Sequence, residues 1–172
     1  MTEERPGWGA EDSLTVTWND PGPALALVRT VSGLDYLRGI AAGELPAPPI
    51  AQLLGMRIGR VLDGEVDFTL EPHPSHYNPI GVVHGGVLST VLDTVTGCAV
   101  HSTLPAGSGY TSIDLNVSYL RGVTLDSGTL TFTGRVIKRG RRVMFASAEG
   151  VDARGEVVAT ATSSLLVMHP SN

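Results

Sequence analysis

The chain has 172 residues, of which 42% are hydrophobic and 17% charged, and it carries a formal net charge of −5. That length suffices for one domain with a real core, the acidic balance argues against a nucleic-acid partner, and a lone cysteine excludes an intrachain disulfide or a cysteine-cluster zinc site. No apolar run is long enough to span a membrane and Met1–Pro6 does not begin a signal peptide, so a cytoplasmic protein without a membrane partner is expected.

Residues 1–12 are polar and aperiodic and are expected to be disordered. Leu14–Trp18 alternates and predicts a short strand. Asp20-Pro21-Gly22-Pro23 breaks the chain and opens a helix; Leu27, Val31, Leu34 and Ala41 then follow helical spacing. Ser32-Gly33 divides this stretch into two helices, with Ser32 and Asp35 placed for a capping-box-like start to the second. Gly43 ends it, the prolines at 46, 48 and 49 keep the chain extended, and Ile50–Gly55 reads as one helical turn with a glycine stop. The expected role of this third is packing support, with a cap over a ligand tunnel as the alternative.

Val66, Phe68 and Leu70 alternate with polar residues, a half-buried strand, and Asp63-Gly64 is a two-residue hairpin turn. Counting back from the turn pairs Val61 with Val66 and Arg60 with Asp67, which puts Ile58 on the wrong face and predicts a bulge at Gly59.

The most informative stretch is His76-Tyr77-Asn78-Pro79-Ile80-Gly81-Val82-Val83-His84-Gly85-Gly86 and the helix it launches. Val87, Val91, Val95 and Ala99 recur every four residues beside Leu88 and Leu92, which predicts an apolar, buried helix. Asp93 is the sole Asp, Glu, Lys or Arg between Glu71 and Asp114, and such a carboxylate is costly unless hydrogen-bonded or used. Gly85 and Gly86 offer bare N–H groups at the helix N-terminus, where a ligand oxygen can approach, the geometry of an oxyanion hole. The plainer reading is a loop that merely enters a buried helix; the company of Asn78, His84 and Asp93 weighs against it. Asp93 lies seven residues beyond Gly86, about 10 Å along the axis, so one carbonyl cannot touch both within a chain. If both act, Asp93 comes from a second subunit. Its role is then to hold or deprotonate a water, with direct carboxylate attack as the alternative; the plainer reading is an Asp satisfied by Ser89, Thr90 or Thr94. Asn78 is an amide donor for the same carbonyl, and His84 either fixes the Asn78 loop or meets the leaving group. Cys98, inside the apolar helix, reads as packing.

Ser112–Leu120 alternates as a strand, Leu130 to Lys138 forms the next, and Val143–Val151 and Val157–Met168 follow. Arg139-Gly140-Arg141 is a hairpin tip, and the alanines at 146, 148, 159 and 161 let the sheet curl closely around a helix. One hairpin, one long helix and four strands in meander order predict an α+β fold, an antiparallel sheet wrapped around the helix. Residues 121–154 hold seven basic and three acidic side chains against the acidic whole. No nucleophile elbow, metal-ligand set or phosphate-binding glycine loop is present.

Asn78-Pro79-x-Gly81-x-x-His84-Gly85-Gly86, Asp93 and the strand Ser112–Leu120 closely resemble the hotdog-fold acyl-CoA thioesterases, in particular the phenylacetate-pathway, PaaI-like group, over about the last 120 residues. The resemblance implies an N-terminal extension over residues 1–45, partly disordered and then helical, and a hotdog thioesterase domain over 46–172. It implies hydrolysis of an acyl-CoA ester at the interface of a homodimer or homotetramer, with no metal or organic cofactor. On it, the catalytic group is Asp93, Asn78, Gly85 and His84. Gly86, Thr94 and Ser112 then bind substrate or water, with Thr111 as the neighbouring candidate because one residue of register decides which faces the site. Arg139, Arg141 and Arg142 would meet the phosphates of coenzyme A, or else form a solvated tip. The rival functions are a non-catalytic acyl-CoA-binding protein of the same fold and a hotdog hydratase or dehydratase.

Overall fold

The computed structural model describes Gly7 and residues 9–169; most of the segment expected to be disordered lies outside them. The first regular elements are α1 (Gly22–Leu27), α2 (Gly33–Ala41) and α3 (Pro49–Leu54). Leu14–Trp18 forms no strand: the segment is irregular, and Leu14 and Trp18 stand 51% and 63% exposed. Five alternating residues have no ladder to join and no face to cover. Ser32 caps α2, its hydroxyl accepting from the Asp35 N–H at 3.1 Å and donating to the Asp35 carboxylate at 2.7 Å. Gly55 closes α3 in the left-handed region at φ 67°. Leu37 of α2 is buried in the main core, and Gly33 is required where α2 passes the end of the long helix: a Cβ there would lie 1.9 Å from the His101 carbonyl oxygen.

The hairpin of β1 (Met56–Leu62) and β2 (Glu65–Leu70) turns at Gly64, with Val61 opposite Val66 and a register shift between Ile58 and Val61 around Gly59. The chain then runs through α4 (Gly85–His101), β3 (Gly109–Ser112), β4 (Asn116–Tyr119), β5 (Leu130–Lys138), β6 (Val143–Val151) and β7 (Val157–Met168). All pairings are antiparallel, in the order β1-β2-β5-β6-β7-β3, with β4 also beside β7. This is an antiparallel sheet around one long helix, as expected, but the last four expected strands are not a simple meander. β5 joins the hairpin, where Phe68 faces Phe132 and Leu70 faces Leu130, all four buried. That cross-strand apolar register decides the neighbour, where chain order alone would have placed β5 beside β4.

The expected strand Ser112–Leu120 is broken. β3 pairs Ser112 with Leu165, whereas β4 pairs Asn116 with Thr162, so three residues, Ile113-Asp114-Leu115, stand opposite two. Asp114 makes the bulge: its carboxylate accepts from the Ser164 N–H at 3.0 Å, and its carbonyl accepts from the Ser163 hydroxyl at 2.7 Å. One extra residue inverts which side chains face inward beyond it.

The sheet closes tightly on α4. Ala146, Ala148, Ala159 and Ala161 are all buried, and a Cβ on Gly134 of β5 would lie 2.1 Å from the Val95 carbonyl oxygen. From Val95 to His101 the helix is wholly buried; in its first half Ser89, Thr90, Asp93 and Thr94 remain only half-covered. The expectation of a buried helix therefore holds for its second half, because β3 and β4 form an edge that leaves the first half partly open. Among the described residues no helix is long and apolar enough to cross a membrane. Replacing Gly134 by Ala forces strand and helix backbone apart and is expected to cost about 1–3 kcal/mol, read as a lower urea midpoint with unchanged m value. An unchanged midpoint would show that the strand is free to move away.

Candidate active site

The loop before α4 is built by its own backbone. Tyr77 and Val83 form an isolated antiparallel bridge, the Asn78 N–H donates to the Val82 carbonyl at 2.9 Å, and the His84 N–H donates to the His76 carbonyl at 2.7 Å. Gly81, at φ 82°, turns the tip. Two outside bonds anchor this loop: the Val83 N–H donates to the Val123 carbonyl, and the Tyr77 hydroxyl accepts from the Leu125 N–H. Within it, the Asn78 side-chain oxygen accepts from the Ile80 and Val82 N–H groups at 3.1 and 3.3 Å. The oxygen is thereby spent, which leaves the NH₂ as the group Asn78 presents.

His84 is the N-cap of α4, its Nδ1 accepting from the Gly86 N–H at 2.8 Å. The Gly86 amide is thus occupied inside the chain, and among the described residues none accepts from the Gly85 N–H. Of the two glycine donors read from the sequence, the Gly85 N–H is the one without an acceptor among the described residues, at a helix end where the dipole favours negative charge.

Asp93 is half-buried, and its Oδ1 accepts from the Ser112 hydroxyl at 2.7 Å. The hydroxyls of Thr90 and Thr94 donate instead to helix carbonyls, of Gly86 at 2.9 Å and Thr90 at 2.8 Å. The plainer reading, an Asp satisfied by its helix neighbours, is not the arrangement found. Thr111, next to Ser112 in β3, makes no bond to Asp93, since alternate residues of a strand face opposite ways. Asp93 Oδ2 meets no donor among the described residues. Gly85 and Asp93, eight residues apart on one helix, are separated by about 12 Å.

Below Asp93 on the same helical face lie Gly97 and His101, and β3 matches them: Ser112 meets Asp93, and Tyr110 crosses Gly97. A Cβ on Gly97 would lie 2.7 Å from the Tyr110 ring, and the His101 ring sits 5.6 Å from Tyr110 and 5.7 Å from Tyr36. Sequence reasoning missed Tyr110; the signal was a glycine in the middle of an apolar helix. Burial raises the Tyr110 phenol well above its usual value, with Cys98 and Asp93 adding to the effect, and burial lowers His101. Burial, then the charge of Asp93, pushes the Cys98 thiol up to about 12.

The basic tip lies at the other end of α4. Arg139 bridges the two hairpin tips with a 3.0 Å ion pair to Asp63, and the turn at Gly64 is tied to Ser102 just past the helix. Arg141 and Arg142 are exposed, with no ion pair among the described residues. Also among the described residues, no cluster of three or more His, Cys, Asp or Glu side chains is placed to hold a metal ion.

Residues 80–159 match the sequence profile of the thioesterase superfamily. A Halobacterium salinarum protein provisionally named an esterase is 33% identical over 129 residues, which span 69% of this chain and 83% of that protein. Human acyl-coenzyme A thioesterase 13 is 29% identical over 97 residues, 56% of this chain and 68% of the human protein. A crystal structure from Ralstonia eutropha JMP134, provisionally described as a thioesterase and phenylacetic acid degradation-related protein, superposes with a TM-score of 0.70 at 34% identity; the match spans 76% of this chain and 98% of that one.

With its thiol pushed up to about 12, Cys98 is neutral across the physiological range and shielded from solvent. A disulfide reagent at pH 8 is therefore expected to leave the native protein unlabelled and to titrate one thiol per chain in urea. Rapid native labelling would contradict the burial of this face.

Proposed function

This chain belongs to the thioesterase superfamily, and from that premise we propose that it hydrolyses acyl-CoA thioesters to the free acid and coenzyme A. The observation that carries the reading is Asp93 held at 2.7 Å by Ser112, its second oxygen without a donor among the described residues, on the half-open part of α4. In the proposed reaction Asp93 takes a proton from a water whose oxygen attacks the thioester carbon. The developing oxyanion accepts hydrogen bonds from the Gly85 N–H and the Asn78 NH₂, both donors without an acceptor among the described residues. Collapse breaks the carbon–sulfur bond, and the proton held by Asp93 goes to the departing coenzyme A thiolate. His84 acts by capping α4 and setting the Gly86 peptide, not by touching the leaving sulfur. Ser112, rather than Thr111, orients the carboxylate.

The same reading makes the protein at least a homodimer. A separation of about 12 Å along α4 keeps Gly85 and Asp93 of one chain from sharing a carbonyl, so each site takes Asn78 and Gly85 from one subunit and Asp93 from the other. Among the described residues the edge made by β3 and β4 has a ladder partner on one side only, and Ile113, Tyr119 and Leu120 stand 57%, 52% and 60% exposed there. An edge of this kind favours pairing with a second copy. Two-fold pairing that sets the α4 helices side by side in opposite directions brings the basic tip of one subunit toward the Gly85 end of the other. Arg141 and Arg142 would there meet the phosphates of coenzyme A, with Arg139 partly neutralised by Asp63.

Thiol release from a panel of aromatic, short-chain and medium-chain CoA esters tests the activity. Asp93→Asn is expected to keep the fold and lower kcat by about 10²-fold or more. Ser112→Ala is expected to lower it about tenfold, the scale of a hydrogen bond to a charged group, while Thr111→Ala stays near wild type. Tight binding without release from any ester would favour a binding protein; full turnover by Asp93→Asn would remove that residue from the mechanism.

A further inference from the structure

Two adjacent glycines give the start of α4 backbone freedom that an oxyanion donor cannot use, because a donor must already be aimed when charge develops. The structure grips this turn from both ends of one peptide. The N–H of the Gly85–Gly86 peptide is held by His84 Nδ1 at 2.8 Å, and its carbonyl, on Gly85, accepts from the Tyr119 hydroxyl at 3.0 Å. Because Tyr119 spends its proton on that carbonyl, the Ser89 hydroxyl, 2.5 Å away, donates to the Tyr119 oxygen. The Tyr119 ring also lies against Gly85, where a Cβ would come within 2.9 Å of it. Just upstream, the His84 N–H is anchored on the His76 carbonyl at 2.7 Å. With both flanking peptides fixed, the Gly85 N–H has one direction in which to point.

Tyr119 reaches this position only through the bulge at Asp114. Ser112 and Tyr119 are seven residues apart, and in an unbroken strand an odd separation sends side chains to opposite faces. The extra residue between β3 and β4 turns both toward α4, so that one edge strand holds Asp93 at one end and Gly85 at the other.

We propose that Tyr119, completed by Ser89, is a positioning residue that aims the Gly85 N–H for the oxyanion, acting through the Gly85 carbonyl and not by touching substrate. This rests on the thioesterase reading. It predicts an effect on turnover without an effect on affinity, and a loosening confined to the first turn of α4.

The test is Tyr119→Phe, which keeps the ring over Gly85 and deletes the hydroxyl, measured by acyl-CoA kinetics and by residue-resolved amide hydrogen exchange of the same protein. Expected are a kcat lower by about threefold to tenfold, the scale of one net hydrogen bond, KM within about twofold, and faster exchange at Gly86 and Val87 with the rest of α4 unchanged. Ser89→Ala should reproduce part of the loss, and the double variant should be no worse than Tyr119→Phe, because the two hydroxyls form one network. Unchanged exchange at Gly86 and Val87 would overturn the clamp whatever the kinetics. Faster exchange with wild-type kcat, or a loss carried wholly by KM, would overturn its part in turnover. A wild-type protein that releases no thiol from any ester would instead defeat the thioesterase reading, while the exchange measurement would still report on the clamp.

Discussion

The hydrogen bond from Ser112 to Asp93 ties the edge of the sheet to the central helix, and the geometry around the candidate site follows from it. A carboxylate on an otherwise uncharged helix bears a desolvation cost that a 2.7 Å hydroxyl donor offsets. That bond fixes the register of β3 against α4, and register then determines the rest. Tyr110, two residues back, falls on Gly97, and the bulge at Asp114 brings Tyr119 round to Gly85. A slip of one residue would present Thr111 to Asp93 and turn Tyr110 outward.

Small residues make this approach feasible. Gly33, Gly97 and Gly134 stand where a Cβ would strike the His101 carbonyl, the Tyr110 ring or the Val95 carbonyl. The sheet can therefore lie almost on the helix backbone, and the second half of α4 is dry. Cys98, Tyr110 and His101 are all driven toward their neutral forms there. The polar side chains of α4 that stay partly open to solvent lie in its first half, where Ser89, Thr90, Asp93 and Thr94 are half-covered and β3 and β4 form the edge of the sheet.

Local signals were legible in the sequence. The Asp63-Gly64 turn, the irregularity near Gly59, the Ser32 cap and the Gly55 stop each depend on a few neighbouring residues, and each is found. The loop from Asn78 to Gly86 and the lone acid at Asp93 were also readable, because glycine spacing and an isolated charge are visible without a fold. What was not legible depends on distant partners. Alternation at Leu14–Trp18 predicted a strand that has nothing to pair with, and Ser112–Leu120 read as continuous because the break requires Ser163 and Ser164, some fifty residues away. The inverted facing hid Tyr119, and the same one-residue ambiguity left Thr111 and Ser112 undecided. The division of labour between Gly85 and Gly86 waited on the ring of His84, whose Nδ1 occupies one of the two amides.

We propose that each site is shared between subunits, with Asn78 and Gly85 from one and Asp93 from the other. Complementation between two inactive variants tests it most directly. Asp93→Asn and Asn78→Ala chains are unfolded, mixed in equal amounts and refolded, with each variant refolded alone and a size measurement as controls. Random pairing makes about half of the dimers mixed, and in each of these one site receives both lesions and the other receives neither. Shared sites should restore about a quarter of wild-type thiol release. Sites built within single chains would recover nothing, since every chain carries a lesion, and activity no greater than the sum of the two controls would contradict the shared site.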